Sequence, residues 1–153
     1  MSLLEPFLNP ERILCRSSAP SRKRLLQNVA ECLDRNAETA DQLFEDLMER
    51  ERLGSTGIGE GVAIPHCRSA TDEIKICLVT TTSPIDYEAI DGAPVDVFIA
   101  LIVPPQEQNA HLGILAAISE AMIVPENRAA LRAAEDSASL LATAQKVFGA
   151  NAS

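Results

Sequence analysis

The chain contains two histidines, and imidazole is the side chain best suited to act as nucleophile or proton carrier near neutral pH. One of them, His66, closes the stretch Arg50-Glu51-Arg52-Leu53-Gly54-Ser55-Thr56-Gly57-Ile58-Gly59-Glu60-Gly61-Val62-Ala63-Ile64-Pro65-His66-Cys67. Four of the seven glycines lie between Gly54 and Gly61, so the backbone there can reach conformations and close approaches that a side chain forbids. Val62-Ala63-Ile64 is then long enough for a buried strand, and Pro65 is expected to end its pairing and leave His66 at the strand's edge. Backbone amides, the hydroxyls of Ser55 and Thr56, Arg50 nearby and a histidine at the far end together make a phosphate-sized cradle.

Other glycine-loop chemistries fail on single residues. A dinucleotide fingerprint starting at Gly57 requires glycine where Val62 stands, and a P-loop starting at Gly54 requires lysine where Glu60 stands. There is no Gly-x-Ser-x-Gly elbow, and Ser55 has no obvious triad. A histidine between a proline and a cysteine can also be a packed structural residue, and Arg50 reads equally as a favourable cation at a helix C-terminus.

The elements needed to position these residues follow from periodicity. Ile13-Leu14-Cys15 suits a first short strand. Leu25, Leu26, Val29, Ala30 and Leu33 form one apolar stripe of a helix running to about Asp34, capped by Ser18 or Ala19. Thr39-Ala40-Asp41-Gln42 has capping-box form and opens a second helix to about Arg52, with Leu43, Phe44, Leu47 and Met48 inward and Gly54 just past its end. That places Arg50 in the last helical turn, against the glycine loop. Residues 74–82 are β-branched and partly alternating, which predicts a strand closed by Ser83-Pro84, and Asp91-Gly92 is a turn. Val95 to Val103 is nearly continuous apolar sequence and predicts a buried central strand stopped by Pro104-Pro105. A helix from about Ala110 carries Leu112, Ile114, Leu115, Ile118 and Met122, with Pro125 beyond its end, and shorter helices are expected over 126–134 and 137–148. The expectation is an α/β single-domain sandwich with a mixed, mostly buried central sheet flanked by helices. Residues 1–10 read as an N-terminal tail and 11–150 as the domain.

Composition narrows the function. The 153 residues are 46% apolar, enough for one core, and 13 basic against 22 acidic side chains give a charge of −9, which argues against general nucleic-acid binding. Residues 1–24 carry a local excess of basic groups (Arg12, Arg16, Arg22, Lys23, Arg24), read as a solvated helix face, while the acidic remainder would steer a basic protein partner. The longest apolar runs, 97–103 and 114–118, are far below the roughly 20 residues of a membrane-spanning helix, and no secretory signal is evident, so a cytoplasmic location without membrane insertion is expected. Cys15, Cys32, Cys67 and Cys77 have no paired spacing and read as reduced thiols, with Cys67 a small buried filler beside the histidine. Scattered histidines and cysteines predict no metal site, and no cofactor is implied.

Gly54-Ser55-Thr56-Gly57-Ile58-Gly59 followed by Val62-Ala63-Ile64-Pro65-His66, with Asp91-Gly92-Ala93-Pro94-Val95-Asp96-Val97 and Leu101-Ile102-Val103-Pro104 before His111-Leu112, resembles the signature of enzyme IIA domains of the bacterial phosphoenolpyruvate phosphotransferase system, mannitol/fructose type. The resemblance covers about residues 11–148 and is closest to the nitrogen-regulatory branch, since the N-terminal helix opens Ser-Arg-Lys-Arg and no fused transport domain is present. It implies that His66 accepts a phosphoryl group through Nε2 from a phosphorylated HPr-type carrier. It further implies that His111 is the second pocket histidine, that Arg50 neutralises developing charge, and that Ser55, Thr56 and Gly57 border the phosphate. His111 enters only through this resemblance; by itself it reads as a surface residue at a helix start. The implied function is a regulatory phosphocarrier of nitrogen/potassium type acting on unidentified target proteins. A sugar-specific (fructose or mannitol) IIA that passes phosphate to a IIB protein shares the same chemistry. A non-phosphorylated protein-binding module is the other class.

Overall fold

The computed structural model describes residues 4–107 and 109–149. In chain order the elements are β1 (Ile13–Ser17), α1 (Arg22–Leu33), α2 (Ala37–Arg52), β2 (Gly57–Gly59), β3 (Val62–Ala63), β4 (His66–Arg68), β5 (Lys75–Ile85), β6 (Val95–Val103), α3 (Ala110–Ile123), α4 (Pro125–Ala133) and α5 (Ser137–Gly149). Among the described residues the six strands form one mixed sheet in the order β1-β5-β6-β3-β2. β6 is its axis: β5 runs antiparallel on one side, and β3 and β4 lie end to end and parallel on the other.

Alternation along β6 divides the core into two layers, since successive strand side chains point to opposite faces. Val97, Ile99, Leu101 and Val103 pack with Ile114 and Ile118 of α3, Leu131 of α4 and Leu140 and Phe148 of α5. Phe98, Ala100 and Ile102 pack with Leu25, Leu26 and Val29 of α1 and Leu43 and Leu47 of α2. Each such buried side chain contributes about 1.5–3 kcal/mol of transfer free energy. The expected α/β sandwich with a buried mixed sheet is therefore the fold found, and the central strand has the expected bounds.

Several local expectations change. The α1 cap is Ser21, whose hydroxyl accepts from the Arg24 amide at 3.1 Å, rather than Ser18 or Ala19. Asn36, not Thr39, caps α2, accepting from the amides of Glu38 and Thr39. β5 continues through Ser83-Pro84 because a register irregularity after Thr80 lets Ile85 pair with Val95; a proline in a strand is tolerated where its missing N–H is not needed. Pro125 starts α4 instead of merely following α3, as its fixed φ allows. The segment read as a tail supplies Leu4 to the core, fully buried, with Phe7 and Leu8 packed against it. Residues 1–3 of that segment, and Ala150 at the end of the expected domain, lie outside the described residues. Among the described residues no helix is long and apolar enough to cross a membrane.

Candidate functional site

His66 stands at a break in the sheet. β3 and β4 would be one strand along β6 but for Ile64 and Pro65; the Pro65 carbonyl still accepts from the Leu101 amide at 2.8 Å, and His66 then opens β4 opposite Leu101. Pro65 thus interrupts the pairing, and the expectation that His66 hangs off a strand's end is replaced by His66 starting the next strand. The kink turns the Ile64 carbonyl toward the imidazole, 2.7 Å from Nδ1. A carbonyl can only accept, so Nδ1 carries the ring proton and the neutral ring presents its lone pair at Nε2. The ring is half-buried.

The Ile64 carbonyl is itself held from the end of α2. Glu51 continues the inward 43–47 spacing of α2 and is 4% exposed, an unusual place for a carboxylate. It accepts from the Thr56 amide at 3.1 Å and the Thr56 hydroxyl at 2.5 Å, and the Thr56 carbonyl accepts from the Ile64 amide at 3.0 Å. A chain of bonds therefore leads from a buried carboxylate through Thr56 and Ile64 to the Nδ1 proton of His66. Burial, reinforced by the Glu51 charge, holds the neighbouring Tyr87 phenol well above its ordinary range. In the sequence the sign of this role is a charged residue, Glu51, on the apolar stripe of α2.

The glycine stretch is a hairpin more than an open cradle. Glu60 and Gly61 have φ of 59° and 78°, the left-handed pair that a type I′ turn between β2 and β3 requires. Gly57 is where the backbone passes so close to residue 89 that a Cβ would lie 2.6 Å from the Ala89 Cβ. The donors expected for phosphate are committed internally. The Ser55 hydroxyl donates to the Tyr87 carbonyl at 2.6 Å, the Gly57 amide donates to Ser55 Oγ at 3.1 Å, and the Thr56 hydroxyl donates to Glu51. Ser55, Thr56 and Gly57 hold the loop that holds His66.

The last turn of α2 sets Arg50 against the start of the glycine loop. That helix packs on β4 and runs antiparallel to it: Asp46 accepts from the Ser69 hydroxyl at 2.6 Å beyond one end of β4, and at the other Glu51 holds Thr56, which in turn holds Ile64. Arg50 lies between these anchors, half-buried, with its guanidinium donating to the Gly54 carbonyl at 2.8 Å. His111 arrives from β6, which passes His66 at Leu101 and exits at Val103. The Arg68 guanidinium then fastens the connection, donating to the carbonyls of Pro104 at 3.1 Å, Pro105 at 3.3 Å and Glu107. This sets the first turn of α3 at the same end of the sheet. His111 Nδ1 is buried there with no hydrogen-bond partner among the described residues, and a buried nitrogen in that state costs about 1–3 kcal/mol until something pairs with it.

A family model described as phosphoenolpyruvate-dependent sugar phosphotransferase system, EIIA 2, matches residues 6–147. The chain belongs to this EIIA 2 family. Among its relatives, the nitrogen regulatory protein of Pseudomonas aeruginosa is 39% identical over 137 residues, covering 88% of this chain and 89% of that one. The nitrogen regulatory protein of Escherichia coli is 35% identical over 135 residues, 86% and 83% of the two chains. The crystal structure of nitrogen regulatory protein IIA-Ntr from Neisseria meningitidis superposes with a TM-score of 0.85 at 32% identity, covering 93% of this chain and 99% of that one. The mannitol IIA of Escherichia coli, at 13% identity and TM-score 0.70, shares the fold.

Two further residues of this EIIA 2 chain complete the surroundings of His66. Arg68, unremarked in the sequence, positions the approach to His111. Cys67 is half-buried, and burial, with the Asp46 charge adding, pushes its thiol up to about 12, so it is not a reactive thiolate near neutral pH. Among the described residues no group of three or more metal-ligating side chains is assembled.

Proposed function

We propose that this EIIA 2 protein is a regulatory histidine phosphocarrier: His66 accepts a phosphoryl group at Nε2 from a histidine-phosphorylated HPr-type protein, and its phosphorylation state governs partners in nitrogen/potassium-type regulation. The observation that carries the chemistry is the 2.7 Å bond from His66 Nδ1 to the Ile64 carbonyl, which leaves Nε2 as the free nucleophile. In the transfer a P–N bond to the carrier's histidine breaks as a bond from phosphorus to Nε2 forms. The ring proton stays on Nδ1, donated to the Ile64 carbonyl, and Nε2 is already unprotonated, so no base has to remove a proton. Such transfers need in-line position and charge compensation more than covalent help. Arg50 supplies the positive charge and His111 a nitrogen seeking a partner, while Glu51, Ser55 and Thr56 keep the loop in place. Leu53 and Leu112, 80% and 56% exposed beside Arg50 and His111, suit the rim on which a carrier docks. Nearly two negative charges added there would remake that surface for any target.

The relatives named nitrogen regulatory protein favour the regulatory outcome. Donation to a sugar-specific IIB protein is the second reading, favoured by 33% identity over 99 residues to the 2-O-alpha-mannosyl-D-glycerate-specific EIIABC component of Escherichia coli, 63% of this chain but 15% of that protein. The test is incubation with phosphoenolpyruvate, the first enzyme of the system and an HPr-type carrier, followed by mass measurement. Wild type gains one acid-labile, base-stable phosphate and His66→Ala gains none, whereas His111→Ala gains it slowly. An unmodified wild type sinks the phosphocarrier and leaves a protein-binding module. Rapid loss of the phosphate to a sugar-specific IIB overturns the regulatory half alone.

A further inference from the structure

A second polar cavity opens at the opposite end of the sheet. Its volume is about 280 Å³ and it is lined by Arg16, Thr80, Thr81, Thr82, Asp96 and Arg132. Thr80 pairs with Val97, four residues along β6 from the Leu101 that faces His66; at the rise of a β-strand this is about 13 Å away. It shares no residue with the His66 site.

Three observations mark this cavity as more than a surface dent. Arg16 has φ of 51°, a left-handed conformation that costs a side-chain-bearing residue about 1–2 kcal/mol. It is held there where the β1 register slips between Leu14 and Ser17, by its amide donating to the Thr80 hydroxyl at 2.9 Å. A glycine at this strand end would be unstrained, so arginine stands here at a cost in stability. Second, among the described residues no carboxylate lies within ion-pair distance of the Arg16 guanidinium, whereas Arg132 spends its Nε on both oxygens of Asp96, at 3.0 and 3.2 Å, and one amino group on the Glu60 carbonyl at 2.6 Å. Two guanidinium groups against one carboxylate leave a positive cavity in a chain of charge −9. Third, the Thr81 hydroxyl donates to the Ser83 carbonyl, while Thr82, which also lines the cavity, is exposed and has its hydroxyl available to a ligand.

We propose that this cavity is a binding site for a small organic oxyanion, a carboxylate or a phosphate monoester of a few carbons. A guanidinium pairs with either group through two parallel N–H bonds, and a threonine hydroxyl adds a donor. The two arginines disfavour a metal cation, and the volume is at the lower end for small-molecule sites, which favours a small anion.

The test is a titration of the full chain followed by amide NMR, at constant ionic strength, with inorganic phosphate, glycerol phosphate and succinate in separate arms. It is run on the His66→Ala variant, and shifts at Arg50 and His111 are fitted separately so that anion binding at the other site is not counted as binding here. Saturable shifts at Arg16 and Thr80 to Thr82, with a Kd near or below about 1 mM in at least one arm, support the site, and the arm that binds names the anion class. Arg16→Gln, which keeps the backbone strain, and Thr82→Val should each weaken that binding, by about tenfold or more for Arg16→Gln, with unchanged thermal midpoints. Linear shifts in all three arms, or saturable binding that Arg16→Gln leaves unchanged, overturn the proposal. None of these outcomes bears on phosphorylation of His66, which is measured separately.

Discussion

Replacing Thr56 with valine removes one hydroxyl from a nearly isosteric side chain and leaves Glu51 Oε2 buried without that donor. Glu51 is 4% and Thr56 5% exposed, and the bond between them is 2.5 Å. A hydrogen bond to a charged group is worth about 1.5–3 kcal/mol net, and the deserted carboxylate has little water to turn to. We expect Thr56→Val to lose about 2 kcal/mol. For a domain of this size that is a fall of roughly 4–8 °C in Tm, or about 1 M in the urea midpoint if the slope is about 2 kcal/mol per molar. Urea unfolding at pH 7 measures it directly. Glu51→Gln should cost less, because the amide still offers an acceptor, and the double variant should fall short of the sum, since both changes break the same bond. Function should follow: the Thr56 carbonyl holds the Ile64 amide and the Ile64 carbonyl orients His66, so Thr56→Val should accept phosphate more slowly while remaining folded. A midpoint shift below about 0.25 M, or additive effects in the double variant, would refute the buried network as the support of His66.

Other perturbations probe the remaining supports. Arg50→Met should slow phosphoryl acceptance by about 10²-fold, the usual cost of removing one stabilising cation or donor, yet cost under about 1 kcal/mol in stability as a lost helix C-terminal charge; equal rates by rapid-quench mass measurement would remove Arg50 from the chemistry. Gly57→Ala forces a Cβ to 2.6 Å from that of Ala89, and overpacking of this kind costs about 1–3 kcal/mol, readable as a lowered urea midpoint. An unchanged midpoint would show that the 86–91 segment yields easily. The Cys67 thiol, pushed up from 9.0 to about 12, keeps its proton in the folded state over a window where the unfolded thiol has lost it. Its contribution is therefore fully present below pH 9 and declines as pH rises toward 12. Wild type should lose stability between pH 9 and 11 more steeply than Cys67→Ala; the raised Cys77 and Tyr87 groups leave a residual slope in both. Parallel slopes would refute the assignment to Cys67.

Much of this fold was legible because burial imposes a period. The run from Val95 to Val103 is apolar on both faces and ends at prolines, so its bounds could be placed to the residue. The stripes Leu25 to Leu33 and Leu43 to Leu47 identified α1 and α2. Helix starts were harder: Ser18 and Ser21, or Asn36 and Thr39, are each chemically able to cap, and only the path of the chain chooses Ser21 and Asn36. Of the site, the sequence offered candidates only: His66 and Arg50 from their place around the glycine loop and, by family resemblance, His111.

What the linear chain determined by itself, then, is an α/β core and a histidine behind a glycine-rich loop, because apolar spacing and glycine content act locally. What only the folded chain decided is which polar groups remain free. Ser55, Thr56 and Gly57 have donors enough for a phosphate, but in three dimensions the Tyr87 carbonyl takes the Ser55 hydroxyl, Glu51 takes that of Thr56, and Ser55 Oγ takes the Gly57 amide. The lone pair at His66 Nε2 exists because a proline breaks one strand into two and aims the Ile64 carbonyl at Nδ1. A hydrogen bond depends on distance and direction, and neither is encoded at any single position.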